Sequence, residues 1–225
     1  MGWLLGLTLL APLAAFVGAA GTRLGVWDWH FGYDVLTQTI GFGLSLLGLL
    51  AAVVALVMAR GALRRSGPVA LLALLVALTS FGFYWMERSR AVRSDAKADV
   101  TTNIADPPGF GGIILAQRRD SGGTIPRRIA GQQDGCANPG SVPRQVAPET
   151  ASAALQEAGF TPLGRGVGRA DGTHTSFWFG FTHDAAIRIR PGQTDVRVVS
   201  REDRDDRGEA CRLLNKIVEG LQPTP

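Results

Sequence analysis

Apolar residues are concentrated in the first 86 positions of the chain, where they form three runs without a charged residue, at about 3–20, 39–59 and 69–85. A helix of about 20 apolar residues spans a bilayer and satisfies its own backbone hydrogen bonds there. The pattern therefore predicts a membrane domain at 1–86. The first run could instead be a cleaved signal peptide, but no Lys or Arg precedes it, so we favour a retained helix.

The last third of the chain changes to shorter patterns. The stretch from Pro148 to Gly159 has the composition of a helix, and four strands are indicated at about 160–170, 173–181, 184–190 and 195–201. A last helix at about 207–221 carries apolar residues at helical spacing. Residues 148–225 are thus predicted to form an α+β domain, an antiparallel β-meander packed by two helices. The Gly-, Pro- and Asp-rich segment 87–147 is predicted to be a linker and irregular extended chain.

Two turns determine the predicted pairing of the strands. A four-residue turn "PGQT" at 191–194 would place Arg190 opposite Asp195 and Arg188 opposite Arg197. Since side chains alternate along a strand, Ile187, Ile189, Val196 and Val198 would share the core face, and the Arg residues of this hairpin the other face. A tight turn at 182–183 would then put Phe179 among the Arg side chains and Trp178 in the core.

This charged and aromatic face has three open interpretations. The helices or segment 100–145 could cover it, with Arg stacked on Phe. It could be an open surface for an anionic lipid, glycan or peptide, or it could carry a catalytic strand. We expect Asp106 and Asp184 to neutralise nearby Arg residues. The candidate ligand or structural cluster consists of Asp106, Trp178, Phe179, Asp184, Arg188, Arg190, Arg197, Ser200 and Arg201.

Basic residues give conflicting signals about orientation. The loop 60–68 carries three Arg, which favours a cytoplasmic loop and an exported tail. The Arg and Lys residues that follow the third run favour the reverse. We favour the exported tail, because long domains cross a membrane largely regardless of charge. The two cysteines, Cys136 and Cys211, would form one disulfide in an exported domain and two unpaired thiols in a cytoplasmic one.

Charge and the motifs of the sequence argue against several classes of function. The net charge is +4, and no basic run is interleaved with aromatic residues, so we predict no nucleic-acid partner. No nucleotide-binding loop or catalytic motif occurs, and His174 and His183 lack ligand spacing, so no cofactor and no metal are assigned. The expected function is non-enzymatic binding or scaffolding, with the lipid bilayer and an anionic lipid, glycan or envelope protein as partners. The alternative is an envelope hydrolase or transferase with Asp184 or an acid of 203–206 as general base.

Three blocks of the tail resemble a known family. They are "DVTTNIADPPGF" at 99–110, "FWFGFTHDAAIRIRP" at 177–191 and "VRVVSREDRDDRGEACRLL" at 196–214, and the chain is similar over about 95–220 to domain of unknown function 1499. The resemblance implies a bacterial envelope protein, here multi-pass in the inner membrane with a periplasmic domain, and it implies no reaction. Asp205 and Glu209 depart from the family's usual serine and asparagine.

Overall fold

The computed structural model describes residues 2–61, 63–91, 99–121, 139–202, 206 and 208–222. The chain divides into two compact units. The first consists of Met1–Arg90 with Phe177–Gly180, and the second of Ala91–Ser176 with Phe181–Pro225. Three helical segments of the first unit are long and apolar enough to cross a membrane, namely Gly2–Arg23, His30–Ala59 and Ser66–Ser89. The three predicted runs are therefore confirmed as candidate membrane spans.

Small residues let the helices of the first unit pack closely. These helices are α1 (Gly2–Arg23), a π-helix (His30–Gly41) that continues into α2 (Phe42–Ala59), and α3 (Leu63–Ala91). The buried stripe of α2 contains Ser45, Gly48, Ala51, Ala52, Ala55 and Ala59. At Gly48, an added Cβ would lie 3.4 Å from the Thr8 backbone of α1. Backbones can approach this closely because the intervening side chains are small.

The second unit is built on a five-stranded antiparallel sheet with the order β1-β5-β4-β3-β2. Its strands are β1 (Asp99–Thr101), β2 (Thr161–Gly166), β3 (Arg169–Thr175), β4 (Thr182–Arg190) and β5 (Gln193–Ser200). Its helices are α4 (Gly112–Asp120), α5 (Pro148–Glu157) and α6 (Glu209–Leu221). The predicted α+β class is confirmed, and α4 is an additional third helix.

One face of the sheet forms the main core. Ile187 and Ile189 of β4 and Val196 and Val198 of β5 all point toward it, as the alternation predicted. Helices α5 and α6 cover this face with their apolar stripes. On α6 the predicted positions Ala210, Leu213, Leu214, Ile217 and Val218 are all at most 3% exposed. Burial of apolar area at this interface is the main contribution to the stability of the unit.

The turn between β4 and β5 has two residues, so the predicted four-residue turn is wrong. Pro191 and Gly192 form it, and Gly192 has a φ of 73°. This combination suits a type II turn, which takes Pro first and needs a positive φ second. The pairing therefore moves by two residues and places Arg188 opposite Asp195 instead of Arg197. A shift of two leaves each side chain on its predicted face.

The predicted tight turn at 182–183 is also wrong. Strand β4 begins at Thr182, and residues 176–181 form the connection from β3. The amide of Ser176 donates to the Phe181 carbonyl at 2.8 Å, and the amide of Phe181 donates to Ser176 Oγ at 3.0 Å. Trp178 consequently lies in this connection and is 59% exposed, so its predicted place in the core is wrong.

The segment predicted to be irregular, 87–147, contains two regular elements. Strand β1 pairs with the outer edge of β5, and α4 begins directly after Gly111. Both are short, three and nine residues, and Gly and Pro around them mask their periodicity. Together they bring the segment 99–121 onto the face of the sheet opposite α5 and α6.

Candidate functional site

The face of β4 and β5 opposite the main core carries alternating charges, and we call it the charged face. Its residues are Asp184, Arg188 and Arg190 of β4, Asp195 and Arg197 of β5, and Arg201 just beyond β5. It exists because both strands alternate an apolar residue with a charged one over the same span. Asp184 and Asp195 are completely buried, so their charges need partners within the protein.

Asp195 is the centre of the first cluster on the charged face. Arg188 Nη2 and Arg190 Nη2 lie 2.9 and 2.7 Å from Asp195 Oδ2. The other oxygen accepts hydrogen bonds from Ser141 at 2.6 Å and Gln193 at 2.7 Å. Burial disfavours the ionised carboxyl, but these hydrogen bonds outweigh burial and lower the pKa of Asp195 to about 2. Asp195 is therefore ionised at every physiological pH.

Asp106 closes this cluster at the protein surface. Its Oδ2 lies 3.0 Å from both Arg188 Nη2 and Arg190 Nη1, while the Asp106 side chain is 59% exposed. A hydrogen bond from Arg188 lowers the pKa of the Asp106 carboxyl, and the charge of Arg190 lowers it further. We call Asp106, Arg188 and Arg190 the rim, since they are the solvent-accessible part of the charged face.

Asp184 is the centre of the second cluster, which is buried. Arg118 of α4 places Nε 2.7 Å from Asp184 Oδ2, and both side chains are at most 1% exposed. Arg201 approaches the same carboxylate from the other side at 2.7 and 2.9 Å. Arg118 also donates to the carbonyls of Val199 and Ser200 at 2.8 and 3.2 Å. Burial lowers the pKa of Arg118, whereas the charge of Asp184 opposes that shift.

A third pair joins β5 to the start of the domain. Arg197 donates to the Asp99 carboxylate at 2.6 and 2.8 Å and to the Pro108 carbonyl at 3.3 Å. The guanidinium groups of Arg118 and Arg197 both lie over the Phe110 ring, with their Cζ atoms 5.3 and 5.4 Å from its centroid. Segment 99–121 thus covers the inner part of the charged face, and both arginines contact one aromatic ring.

Two other predicted site residues lie away from these carboxylates. Ser200 is 6% exposed and its hydroxyl donates to Glu202 at 3.1 Å. Phe179 is half-buried in the connection between β3 and β4. The structure therefore brings together Asp106, Arg188 and Arg190 in one cluster and Asp184 and Arg201 in another, with Arg197 beside the second.

A buried histidine was not predicted as part of any site. His183 is fully buried, and its Nε2 lies 3.2 Å from Asp206 Oδ2. Asp206 also accepts hydrogen bonds from the amides of Ala210 at 2.6 Å and Gly208 at 3.1 Å, so its carboxylate satisfies amides at the start of α6. Burial opposes ionisation of Asp206, but these hydrogen bonds keep its pKa low. The pair fixes the entry of α6 against β4.

The geometry places all three clusters within one family domain. Residues 99–221 match the family model described as Protein of unknown function (DUF1499), and this range is more than half of the chain. The chain belongs to the DUF1499 family. The resemblance that the three sequence blocks indicated is confirmed. No curated protein and no solved structure matches the chain.

Within the DUF1499 domain, Arg118 and Asp99 were missed by sequence reasoning although they hold the buried part of the charged face. Arg118 follows Ile114 at helical spacing in "GGIILAQRRD", and Ile114 is fully buried. That spacing could have indicated a helix whose inner stripe ends in an arginine. Asp99 opens a block that was quoted for the resemblance, but nothing local identifies its partner, which is 98 residues away.

The buried pair of the DUF1499 domain predicts a large loss of stability on changing Asp184→Asn. Arg118 would keep its charge in a buried site without a carboxylate, and such a break costs about 3–5 kcal/mol. The matched control is Glu209→Gln, which breaks the surface pair with Arg212 and should cost less than about 1 kcal/mol. Urea unfolding of the full-length protein in detergent micelles, followed by circular dichroism, measures both. Equal losses would contradict the assignment.

The low pKa of Asp195 predicts a defined pH dependence. A carboxyl whose pKa is about 2 in the folded state and near 4 in the unfolded state stabilises the fold above pH 4. Its contribution, roughly 2 kcal/mol, is lost as the pH falls from about 4 to about 2. The stability difference between wild type and Asp195→Asn should therefore be largest near pH 6 and should shrink across this window. A difference that is constant from pH 6 to pH 2 would contradict the prediction.

Proposed function

We propose that this DUF1499 protein is a bacterial inner-membrane protein whose C-terminal domain lies in the periplasm and acts by non-enzymatic binding or scaffolding in the cell envelope. The observation that carries the proposal is the rim. Two guanidinium groups are held at the surface by a buried carboxylate, and the exposed carboxylate of Asp106 occupies their outer side.

Asp106 occupies the position that an anionic ligand would take. Its carboxylate lies on Arg188 and Arg190, yet its side chain is more exposed than either arginine. Arg188 and Arg190 remain in place without it, since both also contact Asp195. A carboxylate or phosphate of an envelope lipid, glycan or protein can replace Asp106 and accept the same hydrogen bonds.

The hydrolase or transferase alternative requires a carboxyl whose pKa is raised toward neutrality. In the described part of the chain, four carboxyl groups have a shifted pKa, and all four shifts are downward: Asp106, Asp195, Asp206 and Glu209. Such groups are weak bases and are already bonded to cations or amides. This favours binding over general-base chemistry at the charged face.

The compartment is supported by the loop 60–68 and by the cysteines. Arg60, Arg64 and Arg65 lie between the second and third candidate spans and favour a cytoplasmic position for this connection, which supports a tail outside the cytoplasm. Cys211 lies on α6 and is buried, whereas Cys136 lies outside the described residues. Their disulfide stays a prediction, and it would join the segment around Cys136 to α6 in an oxidising compartment.

The proposed compartment predicts that alkaline phosphatase fused after Pro225 is active in intact bacteria, because this enzyme matures only after export. The same fusion to a protein that fluoresces only in the cytoplasm should be dark. Alkylation of the extracted chain should label Cys136 and Cys211 only after reduction. An inactive phosphatase with both thiols labelled before reduction would place the domain in the cytoplasm and refute the proposed periplasmic location.

The rim predicts binding of small anions to the full-length protein in detergent micelles. Isothermal titration with inorganic phosphate, glycerol phosphate and acetate should detect binding that Arg190→Gln weakens roughly tenfold, since a hydrogen bond to a charged group contributes roughly 1.5–3 kcal/mol. Asp106→Asn should strengthen binding, because it removes the internal competitor.

The matched control is Arg119→Gln, which removes an exposed arginine of α4 outside the rim. It should leave binding unchanged. Absence of binding by all three anions, or equal weakening by Arg119→Gln and Arg190→Gln, would remove the rim as a ligand site.

A further inference from the structure

The connection between β3 and β4 presents two large aromatic side chains to solvent, and we call residues 176–181 the aromatic loop. Phe177 is 75% exposed and Trp178 is 59% exposed. Their rings pack edge to face with centroids 5.2 Å apart. The hydrogen bonds between Ser176 and Phe181 close the base of the loop, and Gly180 supplies the positive φ that the turn requires.

Exposed rings of this size are unusual on a water-soluble surface and indicate a contact with something apolar. Phe177 and Trp178 are adjacent aromatic residues, whereas the exposed apolar residues described in the second unit, Ile104, Ile113 and Val167, are aliphatic and not adjacent in the chain. Trp also has a polar ring nitrogen, and it favours the boundary between lipid and water, where the ring is half in each.

The strand register places the aromatic loop at a particular end of the sheet. Asp99, the first residue of β1, pairs with Val199 near the end of β5, and Val199 pairs with Asp184 near the start of β4. The loop leads directly into β4 at Thr182, so it projects from the same end of the sheet at which the chain enters β1. Strands β1 and β4 are two strand spacings apart, about 10 Å.

The chain between α3 and β1 is short. Helix α3, which contains the third candidate span, ends at Ala91, and β1 begins at Asp99. The seven residues between them can extend over at most about 25 Å. The aromatic loop is therefore at the end of the sheet at which the chain from the third candidate span enters β1.

We propose that Phe177 and Trp178 insert into the headgroup region of the bilayer that the helices span, and so form a second attachment of the domain to the membrane. The contact needs no specific lipid, because aromatic rings favour the boundary between hydrocarbon and water in any bilayer. It is independent of the proposed compartment, since the same loop would meet either leaflet. The turn that carries Val167, between β2 and β3, lies at the opposite end of the sheet and stays in water.

The test uses the full-length protein, labelled biosynthetically with 5-fluorotryptophan, in phosphatidylcholine nanodiscs. The fluorine resonance of Trp178 is assigned by its loss in Trp178→Phe. A nitroxide carried on the lipid near the headgroup should broaden this resonance beyond detection, whereas a water-soluble gadolinium chelate should leave most of its intensity. The Val167→Trp variant supplies the matched reporter, which should show the reverse behaviour.

Three results would overturn the proposal. In one, gadolinium but not the lipid nitroxide removes the Trp178 resonance, so the ring is in water. In another, neither agent affects it, so protein covers the ring. In the last, the reporter of Val167→Trp responds to the lipid nitroxide as Trp178 does, so the sheet has no preferred end. Phe177→Glu should restore intensity to the Trp178 resonance in the presence of lipid nitroxide, and Val167→Glu should not.

Discussion

Burial of two carboxylates, Asp184 and Asp195, on one face of the central hairpin is the constraint on which the rest of the domain depends. A buried charge without a partner is unstable by several kcal/mol, so each carboxylate requires cations that only neighbouring segments can supply. Asp184 takes its cations from α4 and from the residue after β5, and Asp195 takes them from β4 itself. The covering segment 99–121 is therefore attached by charge on one side of the sheet, while α5 and α6 are attached by apolar contact on the other.

Sequence patterns predicted the apolar and charged faces of the sheet well, because the periodicity of a single strand or helix determines which way each of its side chains points. Alternation along β4 and β5 identified the core face, and helical spacing identified α6 with five of its seven buried positions, all except Cys211 and Leu221. The predicted pairing of β4 with β5 was shifted by two residues, because the sequence PGQT is compatible both with a two-residue Pro-Gly turn and with a four-residue turn. The exposed position of Trp178 could not be predicted either, because it follows from backbone hydrogen bonds within the aromatic loop.

At the candidate site, too, sequence patterns predicted local features and did not predict contacts between residues that are distant in the chain. Arg188, Arg190, Asp184 and Arg201 lie close together in the chain, and their shared face could be predicted from periodicity alone. Arg118 and Asp99 enter from a segment without a strong pattern, and each partner lies dozens of residues away. Which residues pair across such a sequence separation depends on the face of the sheet against which segment 99–121 packs. That packing depends on Phe110 and Ile114 meeting Ala186 and Val199.

The way the carboxylates are shared has a consequence for how such domains can diverge. Asp184 pairs with Arg118 of α4 and with Arg201, and the Phe110 ring contacts both Arg118 and Arg197. Loss of Asp184 or of either partner arginine leaves a buried charge with fewer partners, and loss of Phe110 removes a cation–π contact from two arginines, so the positions are not independent. Among relatives they should covary as a single block, replaced together by an apolar set or retained together, while rim positions drift one at a time.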